Sequence, residues 1–230
     1  MEHPNHRMIL RVLDALGSLA NRVVLVGGAV VELYCDRTLS HQEIRPTRDV
    51  DIVMHAITFG ELDAFANELF RNGFYQSMED DVVCRFRLDE VIVDVLSTNA
   101  IGWAPSNRWL ALGYPRAELK EAYGRQFRIL EFPYFLAAKF AAFIDRGMKD
   151  PRLSHDLEDI VTMLDSRSDW PELVLSAEDE VREYLTGRFF SILNDIRLQD
   201  AMIGNLPYSD QMSRFSRIIA GARRVCSVEK

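Results

Sequence analysis

Apolar residues recur at helical spacing between Met8 and Leu19, where Ile9, Val12, Leu13, Leu16 and Leu19 share one face. A β-branched run from Arg22 to Val26 stops at Gly27-Gly28, which predicts a buried strand and a tight turn, with a helix starting over Ala29 to Tyr34. Asp36 to Arg48 is polar, contains Pro46 and predicts a long loop, and Asp49 to Met54 predicts a strand. Thr58 with Glu61 three residues on is a capping box opening a helix to Asn72, and Gly73 is its stop. Val82 to Leu88 and Val91 to Leu96 predict a hairpin turning at Asp89-Glu90, and Gln126 to Leu130 predicts a further strand.

After Pro133 the pattern changes. Pro133 suits a first helical turn, and Phe135 to Ile144 continues it toward Gly147. Asp156 to Leu164, Ala177 to Leu185, Arg188 to Ile203 and Gln211 to Arg224 also carry helical spacing, with Ser176 and Asp179 as a start signal. The expected class is therefore α+β: a mixed sheet with flanking helices over residues 1–130, then a helical bundle over 131–230.

Composition narrows the function. The 230 residues are 48% hydrophobic and 27% charged, which fits a globular chain and excludes a disordered one. No apolar run reaches the ~18 residues of a membrane span, and Met1 to Arg7 lacks the apolar core of a signal peptide, so the expectation is a cytoplasmic chain with no membrane partner. A net charge of −8 argues against non-specific coating of nucleic acid, while leaving room for a local basic groove. Cys35, Cys84 and Cys226 form no CxxC pair, and the five histidines lack metal spacing.

Three segments carry candidate chemistry. At Val24 to Ala29, the paired glycines let backbone approach a ligand closely and a helix N-terminus offers N–H groups to an anion; the plainer reading is an ordinary turn. In Thr47 to Val53, strand alternation puts Asp49 and Asp51 on one face. Adjacent carboxylates repel, and a hard divalent cation such as Mg²⁺, shared with substrate phosphate, is the usual compensation; an exposed strand face is the alternative. In Val91 to Leu96, Asp94 is the one acid in an apolar strand. A buried lone carboxylate is costly, so Asp94 either sits at a sheet edge or joins Asp49 and Asp51 as a third carboxylate. In the helical half, Lys139 lies in a stretch apolar on nearly every face and must snorkel or find an anion, with Arg146 seven residues on along the same face.

A double glycine between strand and helix, an Asp-x-Asp strand and a later strand Asp together resemble the polymerase-β-like nucleotidyltransferase superfamily. The wording Val26-Gly27-Gly28-Ala29, then Arg45-Pro46-Thr47-Arg48-Asp49-Val50-Asp51-Ile52, looks most like its AbiEii/AbiGii toxin branch. The resemblance covers about Val23 to Leu96 and extends to Leu164 through the helical pair. It implies that Gly27, Gly28, Thr47 and Arg48 hold the nucleotide. Asp49, Asp51 and Asp94 would ligate two Mg²⁺ ions, with Asp94 also helping to activate the incoming hydroxyl. It further implies that Lys139 and Arg146 meet the phosphates and that Asp156 orients the nucleotide or assists catalysis, with Asp159 the competing choice. The interval between Gly28 and Asp49 is longer than usual for the superfamily, and Asp36 to Arg48 is read as an insertion. The implied activity is transfer of NMP from an NTP to an acceptor hydroxyl, the helical half closing the nucleotide cleft. The acceptor is an RNA end, such as tRNA, or a protein side chain, and a cognate antitoxin is an implied partner. A catalytically silent nucleotide-binding module is the competing reading. Trp103 and Trp109 are candidates for base stacking or for core filling, and Arg214, Arg217, Arg223 and Arg224 for an RNA-contacting helix or a solvated face.

Overall fold

The computed structural model describes residues 3–36 and 44–227. The chain divides into two compact units, Met1–Val30 with Arg45–Glu131, and Val31–Ile44 with Phe132–Lys230. Most of the loop expected over Asp36 to Arg48 lies outside the described residues.

The first unit holds helix α1 (Pro4–Leu16), strands β1 (Val23–Val26) and β2 (Asp49–Met54), helix α2 (Phe59–Arg71), strands β3 (Arg85–Leu88) and β4 (Val91–Ser97), the short helix α3 (Arg108–Gly113), and strands β5 (Glu118–Ala122) and β6 (Arg125–Ile129). The strands form one six-stranded sheet in the order β3-β4-β2-β1-β6-β5. β2 runs parallel to β4 and antiparallel to β1, and β1 runs parallel to β6. A parallel neighbour needs a crossover, which α2 and β3 supply between β2 and β4. Burial alternates along β4: Val91, Val93, Val95 and Ser97 are buried while Ile92, Asp94 and Leu96 are half-buried. The buried side belongs to the core. There α1 lays Ile9, Val12, Leu13 and Leu16 inward and packs on β2 and β4, and Phe70 of α2 meets Phe86 of β3 at 5.6 Å between rings. The capping box is complete: Thr58 Oγ1 accepts from Glu61 N at 3.2 Å and Glu61 Oε2 accepts from Thr58 N at 3.0 Å.

The second unit is helical among its described residues. It contains α4 (Phe132–Ala142), α5 (His155–Ser166), α6 (Trp170–Leu175), α7 (Asp179–Asn194), α8 (Ile196–Gly204) and α9 (Gln211–Ser227). α4 is buried on nearly all sides and packs on α5, α6 and α7. Phe189 of α7 ties the core together, meeting Phe140 edge-on at 5.7 Å and Trp170 stacked at 4.8 Å. Burial pushes the Cys35 thiol up to about 11. Among the described residues, no helix is long and apolar enough to cross a membrane.

Three local expectations change. The strand expected from Val82 begins only at Arg85. The helix expected over Arg188 to Ile203 breaks at Asp195, whose carboxylate accepts from Arg197 N at 2.9 Å and caps α8 instead of continuing the turn. The segment after Gly28 is a seven-residue 3₁₀ stretch, Gly28–Tyr34, not an α-helix. α5 itself is capped by Ser154, whose hydroxyl accepts from Leu157 N at 3.3 Å.

Candidate active site

The parallel ladder puts Asp51 opposite Asp94 and Asp49 opposite Ile92. Opposed residues on neighbouring strands point to the same side, so Asp49, Asp51 and Asp94 all rise from the half-buried face of the sheet. On the other flank of β2, Asp51 is opposite Val26, the last residue of β1. The chain then passes through Gly27 with φ +77°. A Cβ on Gly27 would overlap the Asp51 carboxylate, coming within 2.6 Å of its Cγ. Glycine is required there twice, by the left-handed backbone and by the close approach of an acid. The structure thus brings Gly27, Asp49, Asp51 and Asp94 together.

Thr47 and Arg48 lead into β2. Thr47 is used locally: its hydroxyl donates to Asp49 O at 2.9 Å and its N–H to Asn5 Oδ1 at 3.0 Å. Arg48 is exposed. The shortness of the 3₁₀ stretch after Gly27 weakens the expected helix-terminus contribution at Gly28, since few aligned peptide dipoles stand behind it.

Arg85 is the residue the sequence reading missed. The hairpin register pairs Leu88 with Val91 and therefore Arg85 with Asp94. The guanidinium grips both carboxylate oxygens, Nε to Oδ1 and Nη2 to Oδ2, each at 2.8 Å. These bonds hold Arg85 above its ordinary pKa. Among the described residues, the three Asp carboxylates are not drawn within 4.8 Å of one another. The signal was present in the sequence: counting back from the Asp89-Glu90 turn puts Arg85 across from Asp94. The donor set itself suits Mg²⁺, with oxygen ligands on one face and glycine backbone beside them. Asp49 and Asp51 are placed to hold it, and Asp94 only on terms shared with Arg85.

In the second unit, Lys139, Asp156, Asp159 and Arg146 are brought together. Lys139 Nζ donates to Asp159 Oδ2 at 2.6 Å and lies 3.6 Å from Asp156 Oδ1, with side chains 9% and 6% exposed for Lys139 and Asp159. Arg146 emerges from a wide, π-type turn, Phe143–Gly147, and binds Asp156 through Nε at 2.7 Å and Nη2 at 3.0 Å. The anion that the apolar surroundings of Lys139 demand is supplied by α5, through Asp159 and Asp156. Three of the four C-terminal arginines are also engaged. Arg214 and Arg217 both hold the fully buried Asp165 carboxylate, and Arg224 pairs with Glu172. Trp109 fills core, and the half-buried Trp103 lies 5.6 Å from the Phe86 ring.

Two substitutions check these arrangements. Lys139→Met takes the ammonium away from the buried Asp159 carboxylate, while Asp156 keeps Arg146, and should lower stability by about 3 kcal/mol, read as a fall in the urea midpoint at constant slope. A loss under about 0.5 kcal/mol would mean the ion pair contributes nothing. Gly27→Ala should cost about 2 kcal/mol or more, falling toward the ~1 kcal/mol backbone component when combined with Asp51→Ala. Additive penalties would contradict the Gly27–Asp51 contact.

No protein-family model matches the sequence, and no curated protein does. Solved structures do. The crystal structure of JHP933 from Helicobacter pylori is similar at TM-score 0.50 and 12% identity, over 99% of this chain and 94% of that one. An antigenic nucleotidyltransferase-like protein from Paracoccidioides brasiliensis is similar at TM-score 0.49 and 16% identity, over 91% of this chain and 97% of that one. The antibiotic-resistance factor ANT(2'')-Ia is similar at TM-score 0.47 and 16% identity, over 82% of this chain and 95% of that one. The likeness to JHP933 spans nearly all of both chains, and at this identity what the two share is a fold.

Proposed function

We propose that the chain is a nucleotidyltransferase that moves NMP from an NTP to an acceptor hydroxyl and releases pyrophosphate. The observation that carries the proposal is the register of Asp51 against Asp94 beside the Gly27 turn. Carboxylates gathered on one face of a sheet are costly to maintain without counter-charge, and the glycine opens backbone to a ligand at the same place. Asp49 and Asp51 would hold divalent ions there, with Asp94 as third ligand. Such ions, when bound, neutralise the attacking and leaving oxygens of an in-line displacement. The protein's own share is positioning and charge: β1 and β2 fix Asp51 against Gly27, and Asp94 accepts the proton of the incoming hydroxyl. In the helical unit, Arg146 is the proposed phosphate contact because its side chain is 71% exposed while bound to Asp156. Lys139 serves there as counter-charge to Asp156 and Asp159. A finer reading makes the enzyme the toxin of a toxin–antitoxin pair, supported by the wording around Gly27 and Asp49.

One observation favours a second reading, a catalytically silent nucleotide-binding module. Arg85 occupies both oxygens of Asp94. Incubation with each α-labelled NTP, Mg²⁺ and either total RNA or lysate protein separates the two. Label transferred to RNA or to protein by wild type, and lost in Asp51→Asn, supports the enzyme and names the acceptor. Nucleotide-dependent stabilisation with no transfer supports the silent module.

Scanning calorimetry supplies a linked prediction. Mg²⁺ with NTP should raise the wild-type Tm by ligand linkage, about 2.7 kcal/mol of stabilisation at a hundredfold excess over Kd, and should move Asp51→Asn little. Equal shifts in the two proteins would contradict the assignment of Asp51.

A further inference from the structure

Asp94 is the middle member of a row that crosses three strands at one level: Arg85 on β3, Asp94 on β4 and Asp51 on β2. Its neighbours have opposite charge. On one side stands a carboxylate, on the other a guanidinium that takes both Asp94 oxygens at 2.8 Å. The pair is partly screened from water, with side-chain exposures of 24% for Arg85 and 16% for Asp94. A planar fork on a carboxylate is among the stronger charged contacts, and it satisfies the positive-charge demand that a metal ion would otherwise meet.

We propose that Arg85 is a built-in competitor for the metal site, a counter-cation that must release Asp94 before that carboxylate can ligate a divalent ion. The inference rests on the nucleotidyltransferase reading and adds a control element to it. The placement of Arg85 suits release. It is the first residue of β3, one of the two edge strands of the sheet, so its side chain can swing without disturbing the β4 ladder. The next arginine on the same face cannot take its place, because Arg87 is held by Asp80 through two bonds of 2.7 Å. Asp49 and Asp51 would then bind the first ion, and recruitment of Asp94 would depend on what else draws the guanidinium away. A triphosphate is such a group, since its oxygens match the same fork.

The test is a titration of the full chain with Mn²⁺, free ion being read by its paramagnetic resonance signal. Arg85→Met keeps the apolar stem and removes the competitor. It should bind Mn²⁺ about tenfold more tightly than wild type, the worth of one charge-assisted hydrogen-bonded pair. Arg85→Gln, shorter and neutral, is read in the same way if Arg85→Met fails to give a native circular dichroism spectrum. Affinity unchanged or weakened in a folded Arg85 variant would overturn the proposal, weakening meaning that Arg85 positions Asp94 for the ion instead of competing with it. Asp51→Asn separates the two levels. Should it abolish binding while the Arg85 variants match wild type, the competitor falls and the metal site stands. Should wild type, Arg85→Met and Asp51→Asn all fail to bind, the metal site falls and the competitor with it.

Discussion

Everything proposed for the first unit depends on one backbone pairing, the parallel ladder between β2 and β4. It fixes Asp51 opposite Asp94, and it does so against electrostatics. Like charges directly opposed cost about 0.2–1 kcal/mol relative to a neutral pair. The ladder runs from Asp49–Ile92 to Met54–Ser97, and its apolar positions Val50, Ile52, Val93 and Val95 are buried. Each of those side chains contributes about 1.5–3 kcal/mol of burial, so the core holds the register whatever the acids prefer. A slip of one residue would turn the acids into the core and the valines out. The carboxylate face is thus maintained by the apolar face behind it.

Charge is handled in two ways by this chain. In the helical unit it is neutralised within the fold: Lys139 lies between Asp156 and Asp159, and Asp165 between Arg214 and Arg217. Such pairs leave little charge for a ligand and fix how α4, α5 and α9 meet. In the sheet unit Arg85 answers Asp94 through a two-bond fork, and Asp49 and Asp51 share the same face. A cation site there requires a counter-charge that can be exchanged, because a permanently paired cluster has no remaining affinity and an uncompensated one strains the fold.

What the sequence revealed and what it hid follow from the range of the forces. Local signals were legible: the Thr58–Glu61 capping box, the hairpin at Asp89-Glu90, and the alternation that puts Asp49 and Asp51 on one face. β5 was not, because Glu118–Ala122 is a polar, largely exposed edge strand with no apolar face to read. The break at Asp195 was hidden because an aspartate competes for backbone N–H groups in a way that periodicity does not register. The partner of Lys139 was out of reach, since Asp159 joins it only when α4 and α5 pack. Arg85 was within reach, since the turn position fixes its register with Asp94, yet a strand arginine reads as an ordinary exposed residue until that register is counted.

The central claim is that Gly27, Asp51 and Asp94 surround one cation site. Paramagnetic broadening of backbone amide resonances by substoichiometric Mn²⁺ reads its position directly. The account predicts the strongest broadening at Gly27 and Gly28, at Asp49 to Asp51, and at Val93 to Val95, and its disappearance in Asp51→Asn. Broadening centred on other carboxylates of the chain, or left unchanged by Asp51→Asn, would contradict it.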